Sequence, residues 1–214
     1  MVFIFALSAS CLATAGDASF GDLKKAAREG MKAFLRPDRL DYLHYHGFES
    51  QADLENAVLG EGFEVFTIPP GKLLDESAPL DLQTLVTSTN SWDFLIVVGK
   101  KAKAVVTVGL DGGEWMPLEF GSSELADQLS DFLAAWPASS GYRYRFIRIP
   151  SALSGLIELS KEDKVVGIVP LTDFLAMTKG RTTEAFNPSD VRDPKEVLTA
   201  LRLVVKKSLR KRGN

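Results

Sequence analysis

The stretch "FLIVVGKKAKAVVTVGLDGGEWMPLEF" (residues 94–120) determines the fold class of this 214-residue chain. It contains three apolar runs rich in β-branched and aromatic residues, which is the composition typical of strands. "GKKAK" joins the first run to the second and "DGG" joins the second to the third, and Asp-Gly pairs favour tight hairpin turns. The stretch therefore predicts a meander of three antiparallel strands.

Further strands are expected on both sides of this meander. Upstream, "FEVFTIPPG" (residues 63–71) predicts a strand that ends at two prolines, because proline supplies no donor to a sheet. Downstream, "GSSELADQLSDFLAAW" (residues 121–136) has the apolar spacing of an amphipathic helix. It is followed by "YRYRFIRI", "GLIEL" and "VVGIVPL", which all read as strands.

Helices are predicted near both ends of the chain. Apolar residues recur at helical spacing from Phe20 until Arg36-Pro37, and a second helix is expected over residues 50–60. Asp193 is a helix cap that begins a basic amphipathic helix over about residues 194–211. The prediction is an α+β fold with a single, largely antiparallel sheet of about five to six strands and helices packed on one face. By analogy of architecture alone, this arrangement resembles profilin-like and sensory-input modules.

The first fifteen residues have the pattern of a secretory leader. They carry no charged side chain, are apolar from Val2 to Leu12 and end in Ala-Thr-Ala, which suits a signal peptidase. We therefore predict a signal peptide over residues 1–15 and one domain over residues 16–214. The alternatives are an uncleaved anchor or a displaced start, because no lysine or arginine precedes the apolar run. Export to a bacterial periplasm or exterior also fits a sole cysteine, Cys11, that lies within the leader.

The segment "YRYRFIRIP" (residues 142–150) alternates aromatic and basic side chains. On a strand, successive side chains point to opposite faces, so each face carries a mixture of both types. A net charge of −3 argues against nucleic acid as the partner, because nucleic-acid binding requires a basic field. Ordinary strand packing is one interpretation, and a surface for a small molecule, a glycan or an envelope protein is the other. The candidate ligand-binding residues are Trp92, Trp115, Tyr142, Tyr144, Arg143 and Arg145.

Both histidines of the chain lie in "DYLHYHGFE" (residues 41–49). On an extended segment, His44 and His46 would point to the same side and could begin a metal site. No cysteine or third histidine is available to complete such a site, so the alternative is a turn between two helices. No cofactor is predicted.

The last helix concentrates positive charge. From Lys195 to Arg212 there are seven basic residues and one acidic residue, a net charge of +6, so the rest of the chain carries −9. These cations either hold the helix against an acidic body or give weak contact with an anionic membrane. The candidate surface residues are Lys206, Lys207, Arg210, Lys211 and Arg212.

No established catalytic pattern occurs in the sequence, including the G-x-S-x-G nucleophile motif and HExxH. The leading hypothesis is therefore a non-enzymatic exported module that binds a ligand or a partner. One alternative is a hydrolase of cell-envelope material that uses a carboxylate pair or a metal at His44 and His46. Another is a membrane-associated scaffold held by the basic C-terminal helix.

Overall fold

A computed structural model describes residues 20–152, 154–171 and 185–212, and the expected leader with Cys11 lies outside these ranges. Within them the chain forms one sheet of seven strands. The strands are β1 (Ala57–Thr67), β2 (Thr87–Val98), β3 (Lys101–Asp111), β4 (Glu114–Gly121), β5 (Tyr142–Ile149), β6 (Ser154–Lys161) and β7 (Lys164–Pro170).

The sheet is made of two antiparallel meanders. Its strand order is β4-β3-β2-β1-β5-β6-β7, and the central pair β1 and β5 is parallel, with Val65 opposite Phe146. Every other pair is antiparallel. The α+β class and the single sheet are confirmed. The sheet has slightly more strands than the five to six expected. It is mixed because the long connection from β1 to β5, which contains β2, β3, β4 and helices, brings β5 back beside β1 in the same direction.

Seven α-helices occur among the described residues, and none of them is long and apolar enough to cross a membrane. They are α1 (Phe20–Phe34), α2 (Leu40–Leu43), α3 (Gln51–Glu55), α4 (Pro70–Leu74), α5 (Leu82–Leu85), α6 (Ser123–Ala135) and α7 (Pro194–Arg212). The Asp193 cap of α7 is confirmed, since Oδ1 accepts from the backbone N–H groups of Lys195 and Glu196.

Helices cover both faces of the sheet, where the sequence analysis placed them on one. On β5, Phe146 packs with Leu129 and Phe132 of α6, whereas its neighbour Ile147 packs with Leu198 of α7. Because adjacent strand residues point to opposite faces, α6 and α7 lie on opposite sides. The reason is that adjacent residues near the C-terminal end of β5, Phe146 and Ile147, are both apolar. Their side chains point to opposite faces, so both faces of the sheet must be covered.

The prediction of a helix over residues 50–60 is wrong beyond the first turn. Ser50 does cap it, but α3 ends at Glu55 and β1 begins at Ala57. A glycine of β1 leaves room for an aromatic ring of β2: a Cβ added at Gly62 would lie 2.4 Å from the ring of Phe94. The glycines of "LGEGF" therefore mark close packing between strands.

Candidate functional site

A groove of about 470 Å³ lies over the middle of the sheet, on the face that also carries α7. Strands β1, β2, β5, β6 and the start of β7 form it, and α5 contributes Gln83. We call it the sheet groove and define it by Glu64, Trp92, Arg143, Arg145, Glu158 and Asp163, which are among its lining residues.

An arginine and a glutamate on neighbouring strands form the floor of the sheet groove. Arg145 and Glu158 are opposite each other in the β5–β6 register. Arg145 donates from Nε to Glu158 Oε1 at 3.1 Å and from a terminal nitrogen to Oε2, a two-point contact. The guanidinium also lies 5.4 Å from the centre of the Phe66 ring. Glu158 is 3% exposed, so this pair is a fixed and mutually neutralised part of the floor.

A second, exposed ion pair lies at one end of the groove. Arg143 donates to Asp163 Oδ1 at 2.8 Å, and both side chains are mostly in solvent. Water and salt screen such a pair, so it contributes little to stability. The neighbouring guanidinium nonetheless makes Asp163 a weaker site for an incoming cation than an acid with no basic neighbour.

Glu64 and Trp92 face each other across the β1–β2 ladder. The Glu64 carboxylate accepts a hydrogen bond from Ser88 Oγ at 2.9 Å, and no basic side chain pairs with it among the described residues. Trp92 is half-buried, with Phe94 stacked at 6.1 Å and the edge of Phe20 at 5.6 Å. These aromatic contacts hold the indole beside the carboxylate.

The structure brings together three of the six candidate ligand-binding residues, namely Trp92, Arg143 and Arg145. Tyr144 borders the groove, but its ring packs at 5.2 Å from Phe132 beneath α6. Its hydroxyl donates to the Trp136 carbonyl at 2.8 Å, and burial raises the pKa of this phenol.

The other two candidates lie elsewhere. Tyr142 points to the α6 face of the sheet, where it meets the edge of the Trp136 ring at 5.2 Å. Trp115 lies on β4 and packs beneath α1, beside a separate hollow that also contains Asp22 and Glu29. Strand alternation separates Tyr142 from the arginines, and the length of the sheet separates Trp115 from Trp92.

The two histidines lie in a short 3₁₀-helix (His44–His46) and not in the extended segment that the metal hypothesis required. His44 is exposed, whereas His46 packs against Tyr42 and Phe120. Burial lowers the pKa of His46, and its buried Nε2 has no hydrogen-bond partner within the described part of the chain. No group of three or more metal-ligating side chains occurs in that part either.

Glu64, Glu158 and Asp163 are site residues that the sequence analysis missed. Two of them carried a usable signal, because each is an acid between apolar neighbours on a strand: Glu64 in "FEV" and Glu158 in "IEL". An acid at such a position requires a partner on the next strand or an opening to solvent. Asp163 lies in a turn and carried no such signal.

A second cavity of about 250 Å³ lies on the α6 face between α6 and the end of β5. Arg148 on its wall donates to Asp93 Oδ2 at 2.7 Å, and Thr107 donates to Oδ1 of the same carboxylate at 2.7 Å. Asp93 is fully buried, and burial raises the pKa of its carboxyl against the opposing effect of Arg148. These contacts give Arg148 a structural role.

Comparisons of the chain with protein-family models, with curated proteins and with solved structures found no match.

Proposed function

We propose that this protein is a non-enzymatic binding module whose sheet groove takes a ligand carrying a positively charged amine or guanidine group. The observation that carries the proposal is the juxtaposition of Glu64 and Trp92 on the groove wall. Both groove arginines are already paired with acids, which leaves Glu64 as the carboxylate available to a ligand.

A cation at this position gains from two contacts. Attraction to the face of an indole is worth about 0.5–2 kcal/mol, depending on how far the ligand is desolvated. A hydrogen bond to a charged carboxylate adds about 1.5–3 kcal/mol. The Arg145–Glu158 pair provides a fixed polar floor for the remainder of the ligand. The positively charged group can belong to a small molecule with an amine or guanidine, or to an exposed lysine or arginine of an envelope protein.

The same contacts disfavour hydrolysis in this groove. A carboxylate-pair mechanism requires two acids that are free to donate or accept a proton. Glu158 is held by Arg145 at two points, and Asp163 is paired with Arg143. Combined with the leader pattern of residues 1–15, this supports a binding protein that acts in the periplasm or outside the cell.

The test uses the indole N–H resonances of the three tryptophans in an NMR titration. N-acetyl-lysine methylamide is the probe, and N-acetyl-norleucine methylamide is its uncharged counterpart. We expect the cationic probe alone to move the Trp92 resonance, which Trp92→Phe assigns. Trp136 serves as the internal reference, because its indole N–H donates to the Pro188 carbonyl. Trp115 is half-buried beneath α1, and a shift of its resonance would report the separate hollow beside Asp22 and Glu29.

Glu64→Gln tests the role of the carboxylate in the same titration. It keeps the shape and the Ser88 contact but removes the charge, so we expect the affinity to fall about ten-fold. Glu61→Gln is the matched control, because Glu61 lies on the same strand beside a different hollow. Equal shifts with the norleucine probe would reject a cation site, and a shift of Trp92 with maltose would assign the groove to a glycan. No shift with any probe would remove the groove as the binding site.

A further inference from the structure

Helix α7 has an apolar side and a basic side. Its apolar side packs against the sheet through Val197, Leu198, Leu201 and Val205, all nearly inaccessible to solvent. The side facing solvent carries Leu203, Lys206, Lys207 and Arg210, at the spacing of one helical stripe. Leu203 is 65% exposed, so a large apolar side chain lies in water among three cations.

The cations of α7 differ in what they contact. Arg202 donates to the carbonyls of Leu73 and Asp75 at 2.6 and 3.0 Å and thereby fixes the helix to the end of α4. Lys206 pairs with Glu76 at 2.8 Å in an exposed contact. Among the described residues, no acid pairs with Lys207 or Arg210.

The charge of the chain is segregated along its length. The segment from Lys195 to Arg212 carries +6, and the rest carries −9. An anionic surface therefore attracts this helix and repels the remainder, which orients the protein with the stripe toward that surface. None of these four residues lines the sheet groove, so this surface is separate from the proposed ligand site.

We infer that the stripe Leu203–Lys206–Lys207–Arg210 docks the protein on a phospholipid bilayer with anionic headgroups. Interfacial helices combine cations that meet the headgroups with an aliphatic side chain that enters the acyl boundary. Leu203 has this position between the cations, and binding to a nucleic acid or another soluble polyanion would not require it.

Sedimentation with vesicles tests this inference on the full chain. Phosphatidylcholine vesicles with one quarter phosphatidylglycerol are compared with pure phosphatidylcholine. We expect partitioning onto the anionic vesicles that falls as salt rises. Each exposed cation contributes about a five-fold factor, so Lys207→Gln with Arg210→Gln lowers partitioning about 25-fold. Leu203→Gln lowers it about five-fold without changing the charge.

The matched control removes two cations elsewhere. The control is the double variant Lys100→Gln/Lys101→Gln, whose two positions are exposed at the β2–β3 hairpin. We expect this variant to partition onto anionic vesicles as strongly as the parent chain. Insertion of the apolar residues 1–15 into a bilayer would also cause binding to the pure phosphatidylcholine vesicles. Subtracting the partitioning onto those neutral vesicles from that onto the anionic vesicles removes this contribution. The inference is overturned if anionic lipid adds nothing, if the hairpin variant loses as much as the α7 variant, or if Leu203→Gln binds as well as the parent.

Discussion

Arg148→Met is expected to lower the free energy of unfolding by about 3–5 kcal/mol at pH 7, because it leaves a buried carboxylate without its cation. Asp93 is completely buried, and of its hydrogen bonds to described residues it then keeps the one from Thr107 alone. Methionine preserves much of the aliphatic volume beside Phe146, so lost packing is a minor part of the effect. Urea unfolding at equilibrium measures the change.

Arg143→Met is the matched control for this experiment. It removes an arginine from the same strand, but its pair with Asp163 is exposed, so we expect a loss of less than about 1 kcal/mol. Adding Asp93→Asn to Arg148→Met should restore much of the lost stability, because the amide carries no buried charge. If Arg148→Met and Arg143→Met lower the free energy of unfolding equally, burial of the Asp93 charge is not the cause of the destabilisation.

The Arg148→Met effect should also depend on pH. Burial already raises the pKa of Asp93 above the ordinary 3.8, and loss of Arg148 removes an opposing effect and raises it further. The folded state then binds the proton more tightly than the unfolded chain, so acidification favours folding of the variant. We expect the difference in unfolding free energy between the variant and the parent to shrink as the pH falls from 7 toward 3.8, the ordinary pKa that Asp93 has in the unfolded chain. A constant gap would contradict this account.

The parts of the fold that local patterns specify were predictable from the sequence. The hairpin turns at Gly99 and at Asp111 to Gly113, the helix stop at Pro37 and the Asp193 cap all depend on neighbouring residues. The parallel pairing of β1 with β5 depends on contacts between residues about 80 positions apart, as between Val65 and Phe146. No local pattern encodes that choice, and the same holds for the side of the sheet that α6 covers.

The candidate site was predictable only in part for the same reason. Alternation along β5 placed Arg143 and Arg145 on one face, and the structure opens that face into the sheet groove. Their acidic partners come from β6 and from the turn before β7, so identifying them required the register of the second meander. Trp115 resembled Trp92 in the sequence, but only the strand order shows that the two lie in different places.

The second large effect is expected at the contact between β1 and β2, where Phe94→Ala should cost about 3–5 kcal/mol of unfolding free energy. Phe94 is fully buried and packs with α1 and Trp92. Gly62→Ala alone should also destabilise, by about 1–3 kcal/mol, because its Cβ would lie 2.4 Å from the Phe94 ring. Urea unfolding of both variants gives the reference values for a double-mutant cycle.

In the Phe94→Ala background, Gly62→Ala should change sign. The clash no longer exists, the new methyl group enters the vacated space, and alanine in a strand is favoured over glycine by about 0.5–1 kcal/mol. Gly60→Ala is the control, since its Cβ would meet Val97 at 2.9 Å and should cost the same in both backgrounds. Additive effects of Gly62→Ala and Phe94→Ala would contradict the contact of the Phe94 ring with Gly62, because residues in contact are expected to couple by about 0.5–3 kcal/mol. The result also bears on the sheet groove, because Gly62 lines it and Phe94 supports the ring of Trp92.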